Sequence, residues 1–358
     1  MLNSLTSFRF FAAFMVYLWH IKVLEKYQLG PVGVSFFFVL SGFILAFNYH
    51  SKFDKLQKNN IKKFYIARIA KIYPVHVLTF LMATPLVLLG FHPENLYFVK
   101  LFIISFINLM LLQSYVPGFT LDFNLVSWSL SDELFFYLLC PFILWALTKL
   151  KINTRRKALS LSFFTWLVLL LLTLLLTVND AQMNWWLHSI FPLFRVFDFI
   201  IGILLGLTFV FIKQKDISKK SLFNTLEIAS LVVLIVWIMI SPNIAQTLRY
   251  SVYYLPVWCL LIYVFAFQGG FISKVLSNSK LVYLGEISFS FYMIHDLIIR
   301  YMDFVSIDSF SKALISLVLS VLLSSLVYRY YEEPMRKRIR FGAKNTLIPY
   351  KETLFKQV

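Results

Sequence analysis

The sequence predicts an all-α, polytopic integral membrane protein of about ten transmembrane helices plus one partial or re-entrant segment. Three observations carry that expectation. Of its 358 residues 59% are hydrophobic and only 14% charged, and the mean hydropathy is +0.76, well outside the balance of soluble domains. Apolar runs of roughly twenty residues recur along the whole chain, each long enough to cross a hydrocarbon layer of about 30 Å as a helix. Stretches such as 159–178 are apolar on every side, unlike the alternating polarity of barrel strands.

The apolar stretches cover residues 5–23, 31–49, 72–90, 98–113, 127–148, 158–178, 186–212, 223–241, 250–268, 281–301 and 309–329, eleven in all. Basic loops at 52–71, 149–157, 213–220, 274–280 and 336–340 are expected in the cytoplasm by the positive-inside rule. An even number of crossings must then separate neighbouring basic loops. Only the interval 71–149 breaks this, because it holds three apolar stretches. The shortest of them, with its apolar core at 101–113, is expected to be partial or re-entrant. Ten spans remain, with both termini cytoplasmic. The polar stretch 51–71 mixes lysines with Phe53, Leu56, Ile61, Phe64 and Tyr65, which suits a helix lying at the membrane surface.

Lys and Arg outnumber Asp and Glu by 34 to 17, a balance that in a soluble protein raises nucleic acid as a partner. Here the excess sits in the short loops, so topology accounts for it and no nucleic acid is expected. Cys140 and Cys259 both lie in apolar runs without metal-ligand spacing, so neither a disulfide framework nor a metal site is expected. The first apolar run has no basic leader or small-residue cleavage site and contains Arg9 and His20, so it is expected to stay as a span. With no internal repeat, Gly/Ser linker or low-complexity tract, residues 1–358 read as a single membrane domain.

Ionisable groups inside spans are costly and point to function, usually with a partner nearby. Arg9 and His20 are eleven residues apart, on one helix face and about 16 Å apart along its axis. Arg9 would lie near the cytoplasmic end and His20 near the outer end. Snorkelling of Arg9 and an interfacial histidine are the plainer alternatives. In the second span Ser41-Gly42 permits close helix packing or lines a site. Arg68 and Lys71, a turn apart where the third span begins, could grip a phosphate. Trp128-Ser129-Leu130-Ser131-Asp132-Glu133 opens the fifth stretch; its acids either cap the helix towards water or orient and charge-stabilise an imidazole on the outer side. Arg195 and Asp198 have the spacing of a structural ion pair, and Gly202 and Gly206 follow them on a small-residue face. Tyr292 and His295 stand in another apolar run, where a lone histidine is commonly a hydrogen-bonded core residue.

Together, the order and spacing of these residues resemble the acyltransferase 3 family of membrane O-acyltransferases, across nearly the whole chain. The resemblance rests on several steps: Arg9 with His20; Ser41-Gly42-Phe43; Arg68 and Lys71 before Pro74; Trp128-Ser129-Leu130 with Glu133; Arg195 and Asp198 before the glycines; Ser288, Ser290, Tyr292 and His295; and Glu333-Pro334. Two positions depart from the pattern: Lys71 stands where the family usually has Arg, and Asp296 where it often has Pro shortly after the late histidine. The first loses bidentate phosphate geometry, and the second bears on where the local helix ends.

The resemblance implies transfer of an acyl group, usually acetyl, from cytoplasmic acyl-CoA to a hydroxyl of a cell-surface polysaccharide or lipid-linked sugar, in the bacterial cytoplasmic membrane. Acyl-CoA is the donor substrate and no cofactor is bound permanently. Arg9, Arg68 and Lys71 would hold the nucleotide phosphates, with His20 as general base and Glu133 orienting or stabilising it. An acyl-histidine intermediate is the competing mechanism. Ser41, Trp128, Ser129, Arg195, Asp198, Tyr292 and His295 would bind substrate or support the site. No second catalytic domain is apparent, so transfer is expected to be completed here or handed to a separate protein. A transporter or flippase for a lipid-linked sugar is the alternative from another class, but no inverted repeat or broken helix pair is visible. The topology makes a direct prediction: a cysteine placed at Asn153 is expected to be shielded from an impermeant thiol reagent added outside intact cells. Ready labelling there would mean that 101–113 crosses the membrane.

Overall fold

Long apolar segments in hydrocarbon must satisfy their backbone groups internally, and the chain does so by coiling almost throughout. The computed structural model describes residues 2–89, 97–212 and 220–342, which contain helices and no strand. In order these are α1 (Asn3–His20), α2 (Leu29–Tyr49), α3 (Lys58–Leu89), α4 (Tyr97–Leu109), α5 (Trp128–Lys149), α6 (Arg155–Leu175), α7 (Ala181–Trp185) and α8 (Pro192–Val210). There follow α9 (Lys220–Ile240), α10 (Gln246–Arg249), α11 (Leu255–Ala266), α12 (Phe271–Leu276), α13 (Ser279–Met302), α14 (Ser309–Val327) and α15 (Glu333–Phe341). Several helices start where a side chain can satisfy the free N–H groups: Thr154, Asp180, Asn278 and Asp308 each accept from the first turn they precede.

By length and composition, eight helices among the described residues can cross a membrane. The other two of the ten expected spans fall on α1 and α11, which do not meet that measure. The 18 residues of α1 are diluted by Asn3, Ser4, Thr6, Ser7, Arg9 and His20, and α11 has only 12 residues. Both are held inside the protein, with Ala13, Val16 and Tyr17 of α1 and Leu261, Ile262 and Phe265 of α11 buried. The segment expected to be partial forms the 13-residue α4, about 20 Å long, which like α11 is shorter than the eight. One expectation fails. The polar stretch 51–71 forms no separate surface helix: after a short turn at His50–Phe53, α3 runs unbroken for 32 residues from Lys58 into the span. Phe64 and Ala67 are buried on that helix, and the Phe64 ring packs edge-on against Tyr49 and Phe53, which binds the polar turns to the bundle. The basic loop at 213–220 falls, but for Lys220, outside the described residues.

Two tight helix pairs organise the core. Helices α2 and α8 run parallel, with backbone almost on backbone: a Cβ at Gly42 would stand 2.1 Å from the Phe199 carbonyl oxygen, one at Gly202 2.1 Å from that of Val39, and one at Gly206 2.7 Å from that of Phe43. Helices α1 and α13 also run parallel, since Gly285 lies against the Thr6 carbonyl, Phe10 against Phe291 and His20 against His295. Around this centre α6, α9 and α14 form an outer layer. Only 17%, 11% and 17% of their apolar windows are buried, against 78%, 72% and 72% for α2, α8 and α13, so the outer layer presents its leucines, valines and phenylalanines to lipid. Two of the basic segments meet where Thr148, next to Lys149, donates to Asp54, and Ser7 of α1 donates to the Leu276 carbonyl near Lys274.

Because the obstructing atoms at Gly202 are backbone, Gly202→Ala is expected to destabilise the protein by on the order of 1–3 kcal/mol. Thermal melting in detergent measures this; an unchanged midpoint would show that α2 and α8 can part freely.

Candidate active site

The α2 helix carries Ser41 and α3 carries Arg68 and Lys71 on one face a turn apart, while α1 brings Arg9 and α5 brings Glu133. All five side chains line one cavity of about 400 Å³, walled by Phe37, Phe38, Leu40 and Leu45 and reaching inwards to Ser129, Ser288 and Tyr292. Its lining holds three cations and one carboxylate. Among the described residues no acidic oxygen lies within ion-pair distance of Arg9, Arg68 or Lys71. The Arg68 guanidinium stands between 5.7 and 5.9 Å from the rings of Tyr49, Phe64 and Tyr137, which fixes it without neutralising it. Glu133 accepts from the Tyr137 hydroxyl at 2.9 Å.

His20 is not on this lining and does not meet Glu133. Its Nδ1 lies 2.8 Å from Nε2 of His295, a residue with no exposed surface. The hydrogen-bond network assigns the protons. His295 Nδ1 is 3.1 Å from the Phe291 carbonyl oxygen, which can only accept, so that nitrogen carries the hydrogen. His295 Nε2 is then an acceptor, and His20 Nδ1 must donate to it. His20 Nε2 is left with a lone pair, and among the described residues no hydrogen bond reaches it. A backbone carbonyl thus dictates, through one imidazole, the basic nitrogen of another. When Nε2 takes a proton, the acceptor already in place on the far side of the ring stabilises the imidazolium.

The remaining expected residues fall into support roles. Ser129 Oγ is 2.8 Å from the Tyr292 hydroxyl. The Trp128 ring stands edge-on to Phe38 at 6.5 Å. Arg195 and Asp198 form the expected buried ion pair at 3.0 Å, with Arg195 also donating to the Tyr250 carbonyl and Asp198 accepting from Ser35 and Ser251. The acids of α5 are not caps: the helix starts at Trp128, so Asp132 and Glu133 lie in its second turn, and Asp132 is fully buried. Asp296 does not end α13, which continues to Met302. The His20–His295 pair was not anticipated. The spacing of Ser288, Tyr292 and His295, which puts all three on one face of α13, was the signal available in the sequence.

The fold and site define a helical membrane protein with a cationic pocket and, apart from its lining, a buried histidine pair. Residues 2–329 match the family model Acyl_transf_3, described as an acyltransferase domain, and the chain belongs to this family. It is similar to the acyltransferase MdmB of Streptomyces mycarofaciens, 29% identical over 336 residues that cover 84% of this chain and 79% of the relative. It is also similar to the O-acetyltransferase OatA of Staphylococcus aureus, 24% identical over 353 residues that cover 94% of this chain but 57% of that longer protein. No solved structure matches. The chain is an O-acyltransferase, and the transporter reading falls away.

The proton assignment predicts that His295→Ala lowers acyl transfer by roughly 10²- to 10⁴-fold at unchanged membrane levels. His295→Gln, which offers an amide oxygen as acceptor, is expected to recover part of the loss. Transfer per mole of protein measures both; an undiminished His295→Ala would remove the second histidine from the reaction.

Proposed function

We propose that this O-acyltransferase moves an acyl group, in the simplest case acetyl, from cytoplasmic acyl-CoA to a hydroxyl of a cell-surface polysaccharide or lipid-linked sugar. The carrying observation is the cavity in which Arg9, Arg68 and Lys71 stand without an ion-pair partner among the described residues and whose inner end, at Tyr292, lies one helical turn from His295. Three cations facing a single carboxylate on the lining of an apolar bundle favour an anionic ligand, and the phosphates of a coenzyme A donor supply several negative charges. The basic loops around α3, α5 and α12 support placing the cavity's cationic end at the cytoplasmic face, with both termini there. Glu133 faces the cations rather than His20, and so offsets and orients Arg9 and Lys71.

Chemistry would fall to the free lone pair of His20 Nε2. As the acceptor oxygen attacks the thioester carbonyl, a C–O bond forms and Nε2 takes the hydroxyl proton. Collapse of the tetrahedral intermediate breaks the C–S bond, and Nε2 returns the proton to the departing sulfur. The same lone pair serves the acyl-histidine route, in which Nε2 itself attacks the thioester and the acceptor hydroxyl then attacks the acyl-imidazole. His295 holds the ring in the tautomer that either route needs.

Incubating membranes with labelled acetyl-CoA and cell-surface glycan is expected to put label on the glycan or on a lipid-linked sugar; recovery of label only as acetate or CoA would sink the reading. His20→Ala is expected to abolish transfer. Arg68→Ala is expected to raise KM for the donor by roughly tenfold with little change in kcat, through loss of a charge-assisted contact. A kcat effect without a KM effect would take Arg68 away from the donor.

A further inference from the structure

The cavity and the histidine pair do not communicate. Neither His20 nor His295 lines the cavity, whose inner end is formed by Tyr292 and Ser129 with Phe37 alongside. The Tyr292 ring lies 6.0 Å from the His295 ring and 6.0 Å from that of Phe37, so this one aromatic layer stands between the cationic chamber and the base. It is tied in place: the Tyr292 hydroxyl, Ser129 Oγ and the Val126 carbonyl oxygen form a triangle with sides of 2.8 Å between the hydroxyls and 3.1 and 3.0 Å to the carbonyl, in which the two hydroxyl hydrogens are shared. Val126 belongs to the short turn Leu125–Ser127 that leads into α5, so the ring on α13 is latched to a second element. The latch is made of neutral hydrogen bonds with no ion pair.

We propose that Tyr292 is a partition that shuts the donor cavity off from the histidine pair until the acyl arm of a bound donor displaces it. The proposal rests on the acyl-CoA reading above. A thioester beside a basic imidazole is exposed to hydrolysis whenever no acceptor is present. Water then attacks the carbonyl, a C–O bond forms, the C–S bond breaks, one proton of water passes through His20 Nε2 to the sulfur and the other leaves to solvent, and acetate and free CoA result. An enzyme whose donor and acceptor arrive from different sides needs a closed layer between the two stations, and the ring supplies one that excludes water. Phe37 extends the layer but has no polar group to latch, which makes Tyr292 the movable member.

The test uses the full-length protein in nanodiscs with acetyl-CoA and no acceptor, reading free thiol release and, separately, the equilibrium Kd for CoA. Tyr292→Ala is expected to hydrolyse acetyl-CoA roughly tenfold faster than the parent, because water gains access to the thioester beside the base, while CoA binding changes by no more than about twofold. Tyr292→Phe keeps the ring and loses only the latch, so it should fall between the two, and it carries the test if the alanine variant does not fold. Adding His20→Ala to Tyr292→Ala should return hydrolysis to the parent rate. Parent-level hydrolysis in Tyr292 variants that still bind CoA, or a leak that survives removal of His20, overturns the partition. A parent protein that binds no CoA overturns the donor assignment instead.

Discussion

The architecture depends on how closely two pairs of helices approach. Lipid tails are as apolar as leucine side chains, so helices in hydrocarbon gain little from burying apolar surface and associate through packing and interhelical polar contacts. At Gly42, Gly202 and Gly206 the backbones of α2 and α8 meet with no room for a methyl group, and at Gly285 α13 meets the carbonyl of Thr6 in the same way. Each pair is thereby fixed in register as well as in distance. The α2–α8 register brings Ser35 to Asp198, and the α1–α13 register carries Phe10 to Phe291 and His20 to His295. The imidazole contact follows from a glycine contact several turns away on the same two helices.

The interior charges follow two different solutions to one electrostatic problem. Arg195 and Asp198 are buried together, and the aspartate is further satisfied by Ser35 and Ser251. Such a cluster is complete in itself and holds α8 to α2 and to the segment before α11. Arg9, Arg68 and Lys71 are instead placed around a cavity with Glu133 as the lone acid on the lining, and aromatic faces rather than carboxylates position Arg68. Unpaired cations are costly inside a bundle and serve as a standing attraction for an anion. The cationic chamber and the imidazole pair, whose hydrogen-bond roles are set by the Phe291 carbonyl, are accordingly separate places.

Much of this was legible along the chain. The apolar runs, the basic loops and the residues Arg9, His20, Arg68, Lys71, Glu133, Tyr292 and His295 are local features, since hydropathy and charge act wherever a residue sits. So is the Arg195–Asp198 pair, because partners three apart on a helix are neighbours before any tertiary fold exists. The sequence by itself therefore determined a helical membrane enzyme of this family and most of its polar inventory. Which residues meet was decided by the tertiary structure. Glu133 was expected beside His20 and lies among the cations, while the partner of His20 comes from 275 residues away. The continuity of α3 through its polar turns likewise depends on aromatic packing against Tyr49 and Phe53. The physical reason is the same in each case: periodicity gives the face on which a side chain lies, but only the register of one packed helix against another says what that face touches.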